Sequence, residues 1–213
     1  HAKITKAAFN KAYTISIGGM EQAMTCLQSL LLVDKGCELL IHNTALLNLV
    51  DDNILNTAFT FGNQTFHPIH ILTGYALRHH SGTALEILLN KVSADTLNNA
   101  IDGEASFLQE RVDDIENIYL LDNENVINKL SVEGINRYYD GRNVLAVLSS
   151  CEEGMELLEK HADVFMQKAT DAGLNAPMRS GYATDGLSTI AALARTVKGL
   201  CILDACPDLE NKI

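Results

Sequence analysis

Four histidines lie close together in the sequence, and imidazole nitrogen is a common zinc ligand. His67 and His70 are three residues apart, and His79 and His80 follow shortly after them. Three of these side chains on one face would supply enough nitrogen ligands for zinc. A structural zinc site also uses cysteine or carboxylate ligands at recognisable spacings, and none is adjacent here. We therefore predict no metal site, and a metal-stabilised helical domain is a third hypothesis.

The cysteines are the next candidates, because a thiolate is a strong nucleophile. There are five, without a CxxC pair: Cys26, Cys37, Cys151, Cys201 and Cys206. Glu152 and Glu153 follow Cys151, and negative charge raises the pKa of a thiol, so thiolate would be scarce there. Most of the five lie in apolar helical runs, where packing explains them. We expect reduced thiols in a cytosol-like compartment, and a catalytic Cys/His pair distant along the chain stays open.

A segment from Asp122 to Glu133 has oxygen-bearing side chains at spacings that resemble a calcium-binding loop. Val126 and Ile127, however, stand where that loop needs a ligand and a glycine. The phosphate-loop, dinucleotide-binding, zincin and nucleophile-elbow motifs do not occur in the sequence. We therefore predict no catalytic residues and no cofactor.

The composition and net charge of the chain limit the classes of partner that the protein is expected to bind. The chain has 213 residues, of which 47% are hydrophobic and 20% charged, which is enough for a buried core. Its net charge of -11 argues against binding to nucleic acid or to an anionic membrane surface, because both need clustered Lys and Arg. No uninterrupted apolar run approaches the roughly 20 residues that cross a bilayer, so we expect no membrane insertion.

The elements that would position any site are repeated. Residues 25–43, 143–161 and 188–206 align without a gap on Gly36, Gly154 and Gly199. Each copy opens on a polar residue, has apolar residues at helical spacing, and carries a pair of large aliphatic residues after the glycine. This pattern predicts a helix, a left-handed turn at the glycine, and a second helix. Such a helix hairpin is too small to bury its own apolar face, so we expect it to stack on its neighbours.

A fourth, divergent copy turns at Gly82, and its first helix is about four residues longer than in the other copies. The spacing between Gly82 and Gly154 leaves room for one more unit. We therefore predict a single helical-repeat domain over 1–213, with units at roughly 25–62, 63–101, 102–140 (irregular), 141–183 and 184–213. Ahead of them we expect a helix over Lys3–Met24, and a further helical segment over Thr44–Phe61.

His67-Pro68-Ile69-His70, followed by Gly82 and a leucine-rich helix, resembles the TPLH…G…LLL signature of ankyrin repeats. The resemblance implies that Pro68 begins the first helix and that His70 ties neighbouring repeats together through backbone hydrogen bonds. Asp140-Gly141 and Asp185-Gly186 resemble the segments that flank the β-finger of that family. The fold implied is an all-α solenoid of stacked helix hairpins, ankyrin-like with irregular repeats. A period near 45 residues, against 33 in the family, leaves a HEAT-like array open.

The resemblance to ankyrin-type effectors of intracellular bacteria implies a protein-protein interaction scaffold that is secreted into a host cell and binds a host protein. Two groups of residues have the composition of partner-binding surfaces: Tyr138, Tyr139 and Arg142 in a predicted finger, and Arg78, His79 and His80 in the extra length of the fourth copy. The alternative is an enzyme with an active site in the irregular segment 94–137 or outside this sequence. An enzyme would show a deep polar cleft that contains a titratable group of perturbed pKa.

Overall fold

The computed structural model describes residues 4–17, 19–100, 105–112, 115–177 and 186–209, which are mostly helical. Over these ranges the chain forms seventeen α-helices, one 3₁₀ helix and four β-strands. The expected all-α class is therefore correct for most of the described chain, with two antiparallel hairpins in addition. The chain is divided into two compact units, His1–Ser93 and Ala94–Ile213.

In the first unit, the order of a short helix, a hairpin and longer helices occurs twice. The first series is α1 (Lys6–Asn10), β1 (Tyr13–Ile17), β2 (Met20–Met24), α2 (Cys26–Leu31), α3 (Asp34–His42) and α4 (Thr44–Leu49). The second is α5 (Asp52–Asn56), β3 (Phe59–Phe61), β4 (Gln64–Phe66), α6 (Pro68–Arg78) and α7 (Gly82–Lys91). The side chain of Gln22 in the first hairpin donates a hydrogen bond to the Thr60 carbonyl in the second. The two hairpins are therefore neighbours within this unit.

In the second unit, a five-residue helix followed by two or three further helices occurs three times. The first series is α8 (Ala94–Asn98), α9 (Phe107–Val112), a 3₁₀ helix (Ile115–Leu121) and α10 (Glu124–Ile127). The second is α11 (Val132–Asn136), α12 (Val144–Leu148), α13 (Glu152–Lys160) and α14 (Ala162–Lys168). The third is α15 (Asp171–Asn175), α16 (Thr189–Leu193) and α17 (Val197–Asp204). Isolated β-bridges, Tyr139 with Arg142 and Pro177 with Ser188, take the place of the hairpins.

The helix predicted over Lys3–Met24 is wrong beyond Asn10. After α1 the chain forms the hairpin of β1 and β2, with Tyr13 paired to Met24 and Ile17 paired to Met20. The strand sequence Tyr-Thr-Ile-Ser-Ile is rich in aromatic and β-branched residues, which favour extended backbone. Gly19 lies in the two-residue turn with φ +84°, a conformation that glycine adopts without strain. The helical segment predicted over Thr44–Phe61 is likewise two short helices followed by a strand.

The glycines shared by the aligned copies do not form left-handed turns, and this prediction was wrong. Gly36, Gly154 and Gly199 are each the third residue of a helix. A Cβ added to any of them would come within 2.8 Å of at least one backbone carbon atom of a leucine in the preceding helix: Leu30, Leu148 or Leu193. The second helix of each pair therefore lies so close to the backbone of the first that no side chain fits between them.

The short helices carry a second repeat, which we call the asparagine signature. It has eight residues: Lys or Leu, an apolar residue, Thr, Asp or Ser, three variable residues, a buried apolar residue, and Asn. The five copies are residues 3–10, 49–56, 91–98, 129–136 and 168–175. The buried apolar residues are Phe9, Leu55, Leu97, Ile135 and Leu174, each at most 1% exposed. A buried anchor and a terminal asparagine thus define each short helix.

The asparagine of each of the first four copies bridges to the next copy of the signature. The Asn98 side-chain amide donates to the Lys129 carbonyl at 2.8 Å, and its carbonyl oxygen accepts from the Ser131 N–H at 2.8 Å. The amide also donates to the Ala94 carbonyl within its own helix, at 2.7 Å. The same three kinds of bond, 2.7–2.9 Å long, are made by Asn10, Asn56 and Asn136. Each bridge joins an asparagine to residues 31 to 41 positions further along the chain, at the start of the next signature. It therefore fastens one repeat to its successor.

Candidate interaction surfaces

The predicted surface at Arg78, His79 and His80 lies where α6 ends, in the first unit. α6 has 11 residues, against 6 in α2, so the extra length predicted for this copy is present. The Tyr75 ring is the centre of the surface: the Arg78 guanidinium carbon lies 4.4 Å from its centroid, and the His79 ring is stacked at 6.0 Å. His42, at the end of α3, meets His79 edge to face at 5.8 Å. Tyr75, Arg78, His79 and His42 thus form one aromatic and basic patch.

The side-chain carboxylate of Asp34, on α3, makes a hydrogen bond to this patch. The Tyr75 hydroxyl donates a hydrogen bond to the Asp34 carboxylate, which favours the neutral phenol and raises the pKa of Tyr75 to about 12. The Arg78 and His79 side chains lie against this ring. The patch thus combines a tyrosine ring with a guanidinium, and both groups are common at partner-binding surfaces.

His80 makes the turn that was predicted for Gly82. Its φ is +51°, its N–H donates to the Leu77 carbonyl, and the Ser81 N–H donates to the Ala76 carbonyl. This pair of bonds is a Schellman motif, which closes the end of a helix with a left-handed residue. Gly82 is the first residue of α7, and a Cβ there would meet no atom within 4 Å. The His80 side chain is exposed.

The predicted finger in the second unit is a tight turn. Asp140 and Gly141 have φ +46° and +81°, and Tyr139 and Arg142 exchange two backbone hydrogen bonds of 2.8 and 3.1 Å. Positive φ at both central residues matches the twist of a two-residue hairpin. Tyr138, which is 44% exposed, donates from its hydroxyl to the Pro177 carbonyl at 2.9 Å. Only 20% of the Arg142 side chain is exposed, so Tyr138 is the more accessible part of this surface.

A pocket of about 400 Å³ lies between the 3₁₀ helix and α13, and the sequence did not reveal it. It is lined by Ile118, Tyr119, Asp122, Glu153, Glu156, Leu157 and Lys160. Tyr119 is 63% exposed at the pocket, whereas its neighbours Ile118, Leu120 and Leu121 are buried. We call this site the acidic pocket, because three carboxylates and one lysine line it.

One wall of the acidic pocket is fixed by a carboxylate with two partners. The Lys160 ammonium donates to one oxygen of Asp122 at 2.6 Å, and the His161 Nε2 lies 2.8 Å from the other. These hydrogen bonds lower the pKa of Asp122. A carboxylate held ionised in this way is a poor general acid or base near neutral pH. Glu153 and Glu156, both exposed on α13, supply the remaining negative charge of the pocket.

The stabilising effect of Asp122 should depend on pH. Because the pKa is lower in the folded protein than its ordinary value of 3.8, the contribution is present above pH 3.8 and is lost as the pH falls through the folded value. Asp122 is 36% exposed, so we expect Asp122→Asn to cost less than about 1 kcal/mol at pH 7 and nothing near pH 2. Urea denaturation at both pH values measures this difference. Asp163→Asn, at an exposed position of α14, is the control, and a deficit for Asp122→Asn that persists at pH 2 would contradict the ion-pair explanation.

The positions implied by the ankyrin resemblance are occupied as follows. Pro68 is the first residue of α6, and the ring of half-buried His70 lies 5.8 Å from that of His67. The bracing role of His70 stays a prediction. At the equivalent position of α9, Gln109 makes bonds of this kind: its side-chain oxygen accepts from the Ser106 N–H at 3.0 Å, and its amide donates to the Arg137 carbonyl at 3.1 Å.

The histidines and cysteines considered for metal binding and nucleophilic chemistry have the following surroundings in the described part of the chain. Among the described residues, no group of three His, Cys, Asp or Glu side chains is placed to hold a metal ion. Burial and the charge of Asp34 raise the pKa of Cys37 to about 11. Burial is also the main reason for the raised pKa of Cys151, and Glu153 adds less. Of the five thiols, Cys37 and Cys206 are buried and Cys201 is exposed.

No protein-family model, curated protein or solved structure matches this chain. In the part of the chain that the structure describes, no helix is long and apolar enough to cross a membrane. The proposal for function therefore depends on the geometry of the repeats and of their surfaces.

Proposed function

We propose that the protein is an interaction scaffold of the ankyrin type, in which repeats stack into a solenoid and present a binding surface to another protein. The observation that carries this proposal is the series of asparagine bridges, because each one fastens a repeat to its successor. A repeat of about 40 residues buries too little apolar surface to be stable alone. Stacked repeats form a rigid, extended surface, which suits binding to a large partner.

Several local features support the ankyrin type. Hairpins or tight turns precede the helix pairs at Tyr13–Met24, Phe59–Phe66 and Tyr139–Arg142. The first helix of a pair begins with a capping box at Thr25 and again at Ser106. Gln109 links its own helix to the backbone after the next short helix, which is the kind of contact that the resemblance assigns to His70.

Within the second unit, we propose that the acidic pocket is the site that binds the partner. Tyr119 and Leu157 supply apolar surface, and Glu153 and Glu156 supply negative charge. A pocket of about 400 Å³ with this lining fits a lysine or arginine side chain beside an apolar residue. An exposed tyrosine beside a charged pocket is a common arrangement at binding hot spots. The partner is then a protein with an exposed basic segment, and the effector resemblance makes a host-cell protein the proposed source.

The test is an affinity capture from host-cell lysate with three forms of the protein. The wild type should retain a partner that Tyr119→Ala/Glu156→Lys recovers about tenfold less well, because the hot-spot ring and the charge are both changed. Glu133→Lys, which reverses an exposed charge on α11 outside the pocket, should retain the partner as the wild type does.

Cross-linking of the captured complex through lysine side chains gives the second measurement, since Lys160 lies in the pocket and Lys129 does not line it. Partner cross-links should fall on Lys160. Recovery that is equal for all three forms would reject the acidic pocket as the binding site. A wild-type protein that retains no partner in repeated captures would reject the scaffold itself.

A further inference from the structure

One face of the first repeat has the features of a junction between repeats, although none of the described repeats is placed against it as a preceding repeat. This upstream face is a largely apolar groove of about 470 Å³, lined by residues that include Ile4, Ala8, Tyr13, Ile15 and Cys26. Each interior junction brings the asparagine of one repeat to the start of the next signature. The upstream face lies at the start of the first signature.

The first three residues of the first signature have the same residue types as the segments that receive an asparagine bridge in later repeats. Lys3-Ile4-Thr5 matches Lys91-Val92-Ser93, Lys129-Leu130-Ser131 and Lys168-Ala169-Thr170. In the three matching segments, the N–H of the third residue donates to the asparagine of the preceding repeat at 2.8 Å. The first signature thus has the residue types that receive a bridge from a preceding repeat, with the Thr5 N–H at the position of the donating N–H groups.

Side chains of the upstream face are more exposed than the side chains at the equivalent positions of later repeats. Ile4 is 56% exposed, whereas Val50, Val92, Leu130 and Ala169 at the same signature position are at most 4% exposed. Tyr13 begins its hairpin three residues after the asparagine and is 47% exposed, while its equivalent Phe59 is 8% exposed. Cys26 is half-buried at the position where Pro68 and Val144 are buried. Residues that are covered in later repeats are therefore open in the first.

We propose that the upstream face binds one further repeat of the same kind, joined in cis ahead of Ile4, whose terminal asparagine accepts a hydrogen bond from the Thr5 N–H. The occupant is specified by the interior junctions, in each of which the asparagine lies 33 to 41 residues upstream of the N–H that donates to it, in the same chain. The last helix of that repeat would end at Ile4, since α7 and α14 end at Val92 and Ala169, their C-cap residues at the same signature position. The face is therefore a site of array extension, in addition to any partner-binding surface.

The test adds that repeat. A copy of residues 131–168 is fused directly ahead of Ile4, so that its last residue, a lysine, takes the place of Lys3. Hydrogen exchange at the Thr5 N–H should slow by about tenfold relative to the unextended chain, because a hydrogen bond and a covered surface replace solvent. The Phe9 and Asn10 amides should be protected together with it. The control fusion carries Asn136→Ala within the added copy and should lose the protection at Thr5.

A second fusion has residues 51–91 as the added repeat, so that the test does not depend on whether one particular copy folds in the new position. A glycine/serine extension of equal length measures the effect of chain length alone. Protection at Thr5 in either fusion, lost when the added asparagine is changed, supports the proposal. Thr5 exchange that stays unchanged in both fusions, or protection that survives the loss of the asparagine, overturns it.

Discussion

Replacing Asn98 by alanine should lower the free energy of unfolding of the second unit by about 3 kcal/mol, since buried backbone groups lose their partners. Asn98 is buried, and its side chain makes three hydrogen bonds of 2.7–2.8 Å to backbone groups. Alanine leaves the Lys129 carbonyl and the Ser131 N–H without those partners. Urea denaturation measures the loss, and hydrogen exchange should find the Ser131 N–H among the amides whose protection falls most.

Two further variants separate hydrogen bonding from packing. Asn98→Asp keeps the size and shape of the side chain but removes both donors and sets an oxygen against the Lys129 carbonyl, so its cost should match or exceed that of alanine. Asn99→Ala changes the exposed neighbour and should cost less than about 0.5 kcal/mol. A small loss for Asn98→Asp would mean that packing, and not the bridge, holds the two repeats together.

The helix pairs were predictable because their signals are local. Thr25, Asn143 and Ser188 open the aligned copies, and in the structure each is an N-cap whose side chain accepts from a backbone N–H three residues on. Apolar residues at helical spacing then give the buried faces of α2, α12 and α16. Both kinds of signal depend on residues within one or two turns of each other, so a single sequence contains them in full.

The bridges between repeats were missed because one partner in each hydrogen bond is a backbone group, and the sequence does not distinguish one backbone group from another. Asn98 pairs with a backbone carbonyl and a backbone N–H more than 30 residues away, and such groups exist at every position. A five-residue helix such as α8 is also too short to show a helical period. The asparagine signature itself was the signal that the sequence contains. Its Asn recurs at 10, 56, 98, 136 and 175, and an apolar anchor residue precedes each of them.

The acidic pocket was missed for a related reason. Its walls are the 3₁₀ helix and α13, which are separated in the chain by α10, α11 and α12. Tyr119 lies in an apolar run, where a buried ring is the ordinary expectation, and only the packing of its neighbours leaves it exposed. Asp122 acquires its partners from Lys160 and His161, at the far end of α13. Contacts of this kind follow from the stacking of repeats, which one sequence does not specify.

Replacing Gly154 by alanine should destabilise the protein by about 3 kcal/mol, although alanine is the better helix former. The added Cβ would lie 2.6 Å from the Cα of Leu148, and backbone atoms cannot rotate out of the way as a side chain can. Relief of this clash requires α13 to move away from α12, which opens the packing around buried Leu158 and Leu145. The loss is measured as a lower urea midpoint.

Gly74→Ala is the matched control, because Gly74 also lies within a helix but has no atom within 4 Å of an added Cβ. There the same substitution should raise stability by about 0.5–1 kcal/mol, through the lower conformational entropy of the unfolded chain. Opposite signs for one chemical change would show that the glycine of the repeat is selected by the distance between the helices. If both variants were stabilised, α12 and α13 would have to be farther apart than in the structure, and the close helix pair would be rejected as the reason for the repeated glycine.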